Sequence, residues 1–129
     1  MVEPMSSLSH ADRANLQADL SSMKNAALVS VLVGTGSIVL KFSDGVPVTV
    51  QCPFEVEEDG KALSGHGETP GTCPALCGFL NHRVNDARFD KQGRTTFSFD
   101  AGGRLRLIPD DSGFEAYVVS TTNGVFPVH

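Results

Sequence analysis

Five residues with metal-ligand chemistry fall within one stretch of this chain: Cys73 and Cys77 around Pro74-Ala75-Leu76, with Cys52, His66 and His82 on either side. A soft metal such as zinc takes four sulfur or nitrogen ligands, and two cysteines on successive turns of a helix supply two of them. The spacing is C-x3-C and not the tighter C-x2-C knuckle, and no second pair matches it. Free cysteine is also among the residues most readily buried as a small hydrophobe. Packing is therefore the expected role of the thiols, with no metal, no cofactor and no catalytic residue assigned. The alternative is a small ligand- or metal-binding domain or enzyme, with a pocket near His66, Cys77 and His82.

Carboxylates gather at Glu57-Glu58-Asp59 and Asp110-Asp111, with Glu68 in between. Paired acids act as general acid and base or hold a hard cation. Beside glycine and turn residues, their expected use is a negative surface that meets a basic partner. Glu57, Glu58, Asp59, Glu68, Asp110 and Asp111 are the candidate partner contacts. Arg83, Arg88, Arg94, Arg104 and Arg106 concentrate positive charge in the second half. A basic sheet binds single-stranded nucleic acid when aromatics share its face. Here Phe97 and Phe99 lie on the opposite parity from Arg104 and Arg106, which predicts no nucleic-acid binding. Neither a phosphate-binding glycine loop, nor a G-x-S-x-G elbow, nor an H-E-x-x-H zinc motif occurs.

Positioning these residues falls to a repeated framework. Gly36, Leu40, Phe42, Gly45, Val48 and Val50 are answered 57 residues later by Gly93, Phe97, Phe99, Gly102, Leu105 and Leu107. In each copy alternating apolar runs flank a glycine turn, and a Phe-Glu-small step follows at Phe54-Glu55-Val56 and Phe114-Glu115-Ala116. Period-two runs predict strands at 28–33, 37–42, 46–51 and 54–58, then at 83–89, 94–99, 104–108, 114–120 and 125–128. Pro47 lacks a ladder donor and predicts an edge or a bulge for its strand. Ser9 with Asp12 reads as a helix N-cap, and Leu16, Leu20 and Met23 follow at helical spacing, predicting a helix over 10–24. Glycine-rich 57–72 reads as a long exposed loop, and Pro74 opens a short helix over 74–81.

The expected fold is one domain over 1–129, mainly β with α additions (α+β). Its parts are an N-terminal helix, a first antiparallel meander over 28–58, a loop and short helix over 59–81, and a second meander over 83–128. The two meanders form a sandwich or a partly closed barrel. A net charge of -5 repels polyanions and favours basic partners. No apolar run reaches the length of a membrane span, the N-terminal residues lack a secretory pattern, and an odd count of three cysteines suits a reducing compartment. Cytoplasmic localisation follows as the expectation. As monomer or homodimer, the chain offers exposed strand edges at Val46–Gln51 or Val125–Val128 for self-pairing.

Leu40-Lys41-Phe42-Ser43-Asp44-Gly45, the F-x-x-G-G-x-L-x-L run from Phe99 to Leu107, and Gly113-Phe114-Glu115-Ala116-Tyr117 resemble a group of small uncharacterised bacterial β-rich proteins over about residues 28 to 125. Proteins of this kind are often immunity proteins that neutralise a toxin. The resemblance implies a cytosolic binding protein, not an enzyme, that blocks a basic toxin domain by surface complementarity.

Overall fold

The computed structural model describes residues 8–110, 116–121 and 124–129. Helix α1 spans His10–Ser22, and the Ser9 side chain accepts the Asp12 N–H at 3.0 Å, as the capping pattern predicts. Leu16, Leu20 and Met23 on one face of this helical segment are fully buried. The strands are β1 (Leu28–Val33), β2 (Ile38–Phe42), β3 (Pro47–Val50), β4 (Pro53–Glu58), β5 (Lys61–His66), β6 (Val84–Phe89), β7 (Thr95–Phe99), β8 (Arg104–Leu107), β9 (Tyr117–Thr121) and β10 (Gly124–Val128). A 3-10 turn at Pro70–Thr72 and a single helical turn, α2 (Pro74–Cys77), lie between β5 and β6.

Two five-stranded antiparallel sheets pack together as a sandwich, in the orders β1-β2-β3-β9-β10 and β5-β4-β8-β7-β6. Alternation with one wet side builds them: Phe97, Phe99, Leu105 and Leu107 are buried, while Arg104 is exposed and Thr96, Ser98 and Arg106 are half-buried. Phe42 and Phe97 stack across the core at 5.6 Å between ring centroids, and Phe79 stacks on Phe99 at 4.4 Å. Such pairs add about 0.5–1.5 kcal/mol beyond the area that they bury.

The two halves exchange strands, which the reading of two self-contained meanders did not anticipate. β1-β2-β3 is completed by the β9–β10 hairpin of the second half, and β6-β7-β8 by the β4–β5 hairpin of the first. The exchange is symmetric in register, with Val50 opposite Tyr117 and Leu107 opposite Phe54. The counterpart of Phe54 is therefore Tyr117, not Phe114, which lies outside the described residues. Both three-stranded units carry the same irregularity, between Leu28 and Ser30 and between Val84 and Asp86. A reciprocal clasp joins the starts of β1 and β6. Asn25 N–H donates to Val84 O and Asn81 N–H to Leu28 O, while Val84 N–H returns to Ala26 O and Leu28 N–H to His82 O. Asn25 and Asn81 both hold positive φ, 75° and 70°, a conformation that asparagine tolerates better than most residues.

Three further expectations change. The helix predicted over 74–81 is shortened to α2, and the chain then turns at Asn81 into the clasp. The predicted loop over 57–72 contains β5, joined to β4 by a two-residue turn in which Asp59 (φ 52°) and Gly60 (φ 77°) both take positive φ. That is the geometry of a tight hairpin, for which Asp-Gly is a preferred pair. Finally, β3 is an interior strand, so Val46–Gln51 is no edge. Pro47 is tolerated because it opens the strand and the β9 ladder starts only at Val48.

Side-chain contacts tie the two sheets to each other and to α1. Tyr117 on β9 and Thr95 on β7 are fully buried. The Tyr117 hydroxyl donates to Gly93 O at 2.7 Å, so Thr95 Oγ1, also at 2.7 Å, donates to the phenol oxygen. Gln17 of α1 meets the outer edge of β6, its amide nitrogen donating to Ala87 O at 3.0 Å while its carbonyl accepts from Phe89 N–H at 2.8 Å. This carboxamide closes an edge that would otherwise present open backbone groups. Arg13 lies over the Phe89 ring at 5.2 Å, and the Thr121 hydroxyl donates to Asp19 at 2.5 Å, holding α1 across the open side of the sandwich.

Candidate functional site

The sulfur and imidazole groups do not converge. Among the described residues, no three of His, Cys, Asp and Glu form a group able to hold a metal ion. Cys52 is fully buried between β3 and β4, Cys73 is half-buried and Cys77 is exposed. Burial pushes the Cys52 thiol up to about 12, and the negative charge of Asp110 adds to the rise. A thiol held neutral in this way is a packing group. His66 ends β5, where its Nδ1 accepts the Glu68 N–H at 3.1 Å. That bond occupies the Nδ1 lone pair, so the 3.9 Å approach of the Glu68 carboxylate to the same nitrogen is not an ion pair in the neutral tautomer. His82 faces Asp100 instead, at 3.6 Å. The three residues of the pocket expected near His66, Cys77 and His82 thus have separate surroundings.

The arginines are largely engaged. Arg88 bonds Asp86 at 2.7 Å, Arg94 bonds Asp90 at 2.9 Å, Arg106 approaches Glu55 at 3.7 Å, and Arg83 donates to Asn25 O at 2.7 Å. Phe97 and Phe99 are in the core, as parity predicts, so the outer face of this sheet is a mixed-charge lattice.

The five described candidate acids separate into two groups at opposite ends of β4. Glu68 follows the end of β5, and Asp110 follows β8 where Ile108 N–H donates to Pro53 O; both lie at the Pro53 end. Asp111 is outside the described residues. At the other end are Glu57, Glu58 and Asp59. Glu57 is on the outer face of β4, opposite Arg104 in register. Glu58 shares the inward parity of Phe54 and Val56, but at the strand end its carboxylate reaches the rim beside Gly78, just after α2. Asp59 begins the turn. With Lys61, Gly102 and Arg104, these acids line an open groove of about 300 Å³.

Among the described residues, none of Glu57, Glu58 and Asp59 is in an ion pair within the molecule. The tight turn gives them a fixed place, and β8 supports β4 from the other side. Arg104 and Lys61 belong to this groove although sequence reasoning gave neither a role there. The Asp59-Gly60 hairpin signal would have brought Lys61 opposite Glu58. The groove therefore has mixed charge, three carboxylates beside Lys61 and Arg104, with Glu58 and Asp59 offering hydrogen-bond acceptors.

Among the described residues, no helix is long and apolar enough to cross a membrane. No protein-family model, curated protein or solved structure matches this chain.

Proposed function

We propose that this chain is a bacterial cytosolic binding protein of the immunity type, which occupies a basic cleft of a toxin domain by surface complementarity. The observation that supports it is the β4–β5 hairpin: three carboxylates without ion partners among the described residues, held where β4 enters a two-residue turn beside an open groove. Charge of this kind accelerates encounter and fixes register more than it adds raw affinity. The two-residue turn limits the conformational freedom that Glu58 and Asp59 lose on binding, and their carboxylates offer acceptors to a basic side chain at the edge of a groove that Lys61 and Arg104 also line. Inhibition by occupancy requires no chemistry from the inhibitor.

The experiment is capture of the partner from the native host by the tagged chain, followed by kinetics with the purified pair. A basic protein is expected in stoichiometric yield, with association slowing as salt is raised. Reversing Glu57, Glu58 and Asp59 together to Lys should slow association at least roughly tenfold and leave the circular dichroism unchanged. Recovery of no stoichiometric partner, or a triple variant with unaltered association, would refute the reading.

A further inference from the structure

The internal symmetry exposes a missing closure. β1 and β6 are equivalent edge strands with the same bulge, and on β6 the open Ala87 C=O and Phe89 N–H are closed by the Gln17 carboxamide. The corresponding groups on β1 are Val31 C=O and Val33 N–H. Their direction follows from the hairpin: Gly34 N–H donates to Ser37 O in β2 at 2.9 Å, so alternation turns the backbone groups of Val33 and Val31 away from β2. Among the described residues no helix covers them as α1 covers β6: the element preceding the second repeat is only the four-residue α2, and the position equivalent to Gln17 is Cys73.

The other edges are protected. β10 carries Pro127, which has no donor. β5 carries Lys61, and its end is pinned by Thr72, whose hydroxyl accepts the His66 N–H and lies within bonding distance of His66 O. β1 has no charge and no proline, and it exposes Val29 (52%), Leu32 (48%) and Val33 (46%). Uncharged sequence extends from Asn25 through Leu40. In a chain of net charge -5, this is where two copies meet with least repulsion.

We propose that β1 is a self-association edge. Two copies pair their β1 strands antiparallel across a twofold axis at Leu32, joining their five-stranded sheets into one. The register is self-complementary. Val31 of each copy stands opposite Val33 of the other and exchanges both N–H···O bonds with it, while the two Leu32 residues form the close pair at the axis. The backbone of a second copy thus supplies to Val31 and Val33 the kind of peptide group that Gln17 supplies to Ala87 and Phe89. The short contact predicts a concentration-dependent dimer in the micromolar range, not an obligate one.

Sedimentation of the full chain across a concentration series tests it together with cross-linking. The wild type should shift from monomer to dimer, and Leu32→Lys should remain monomeric over the same range with an unchanged urea midpoint. In a Cys73→Ser, Cys77→Ser background, Leu32→Cys should oxidise to a linked dimer, because the close pair of an antiparallel ladder sets Cα atoms about 4.5 Å apart, within disulfide reach. Val125→Cys on the β10 edge should not. A wild type that stays monomeric at all concentrations would overturn the proposal, as would a dimer that survives Leu32→Lys or cross-links through Val125→Cys in preference to Leu32→Cys.

Discussion

Removing one oxygen from the core tests the inter-sheet tie most directly. Tyr117→Phe keeps the ring and its packing but deletes the hydroxyl that donates to Gly93 O and accepts from Thr95, each at 2.7 Å. Tyr117 and Thr95 are fully buried, so the groups left behind do not recover a bond from bulk water. A buried polar group without its partner costs about 1–3 kcal/mol. With two groups affected and Thr95 free to rotate toward another acceptor, the expected loss is about 2–4 kcal/mol. Against a total stability of about 5–15 kcal/mol this is a large fraction. In urea the midpoint should fall by about 1–2 M.

The companion variant Thr95→Val leaves the phenol its donor bond to Gly93 O and should cost about 1 kcal/mol. In the double variant the orphaned Thr hydroxyl is gone, so its loss should be smaller than the sum of the two by about 1 kcal/mol. Urea melts of the four proteins decide the matter. A Tyr117→Phe loss below about 0.5 kcal/mol, or strict additivity, would mean that the hydroxyl pair carries no structural weight.

Phe42→Ala and Phe99→Ala, at equivalent buried positions, should each cost about 3–5 kcal/mol in denaturant melts, while exposed Lys41→Ala should cost under about 0.5 kcal/mol. Comparable losses at Lys41 and Phe42 would refute the register. Alkaline stability should reflect Cys52. Its folded value is raised from 9.0 to about 12, so the stability it contributes is complete below pH 9 and is lost as pH rises toward 12. The slope from this group is at most about 1.4 kcal/mol per pH unit. Tyr117, also raised by burial, adds to the fall above pH 10. Cys52→Ala should flatten the pH dependence between 9 and 10, measured by melts at stepped pH.

Alternation made β2, β3, β7 and β8 legible, because each has one face in the core and one in water, whereas β1 and β6 depart from it at their bulges. Runs such as Thr95–Phe99 and Arg104–Leu107 write that contrast directly into residue type. β5 was illegible for the opposite reason: Lys61 to Ser64 are all exposed, so burial imposes no period there. The exchange of hairpins was illegible because Phe54 and Val56 must face inward whichever sheet receives them. The extra length between β8 and β9 also hid the equivalence of Phe54 and Tyr117. Matching the Phe-Glu-small step by residue type finds Phe114 instead, three residues early. At the candidate site the acids were evident by type, but their division into two ends depends on the Asp59-Gly60 turn. The engaged arginines likewise depend on cross-strand neighbours such as Glu55 and Arg106, far apart in the chain.

The exchanged hairpins also bear on how the chain folds. Neither repeat owns a complete sheet: Val48 must find Val119, and Val56 must find Leu105, before either three-stranded unit gains its fourth strand. Such distant pairings impose loop-closure entropy early and place this topology among slow folders. A fragment ending after β5 and one starting at the 3-10 turn should each remain largely unstructured alone and assemble when mixed, because each carries the hairpin that the other lacks. One repeat by itself has a single route to the same architecture, which is to donate its hairpin to an identical copy.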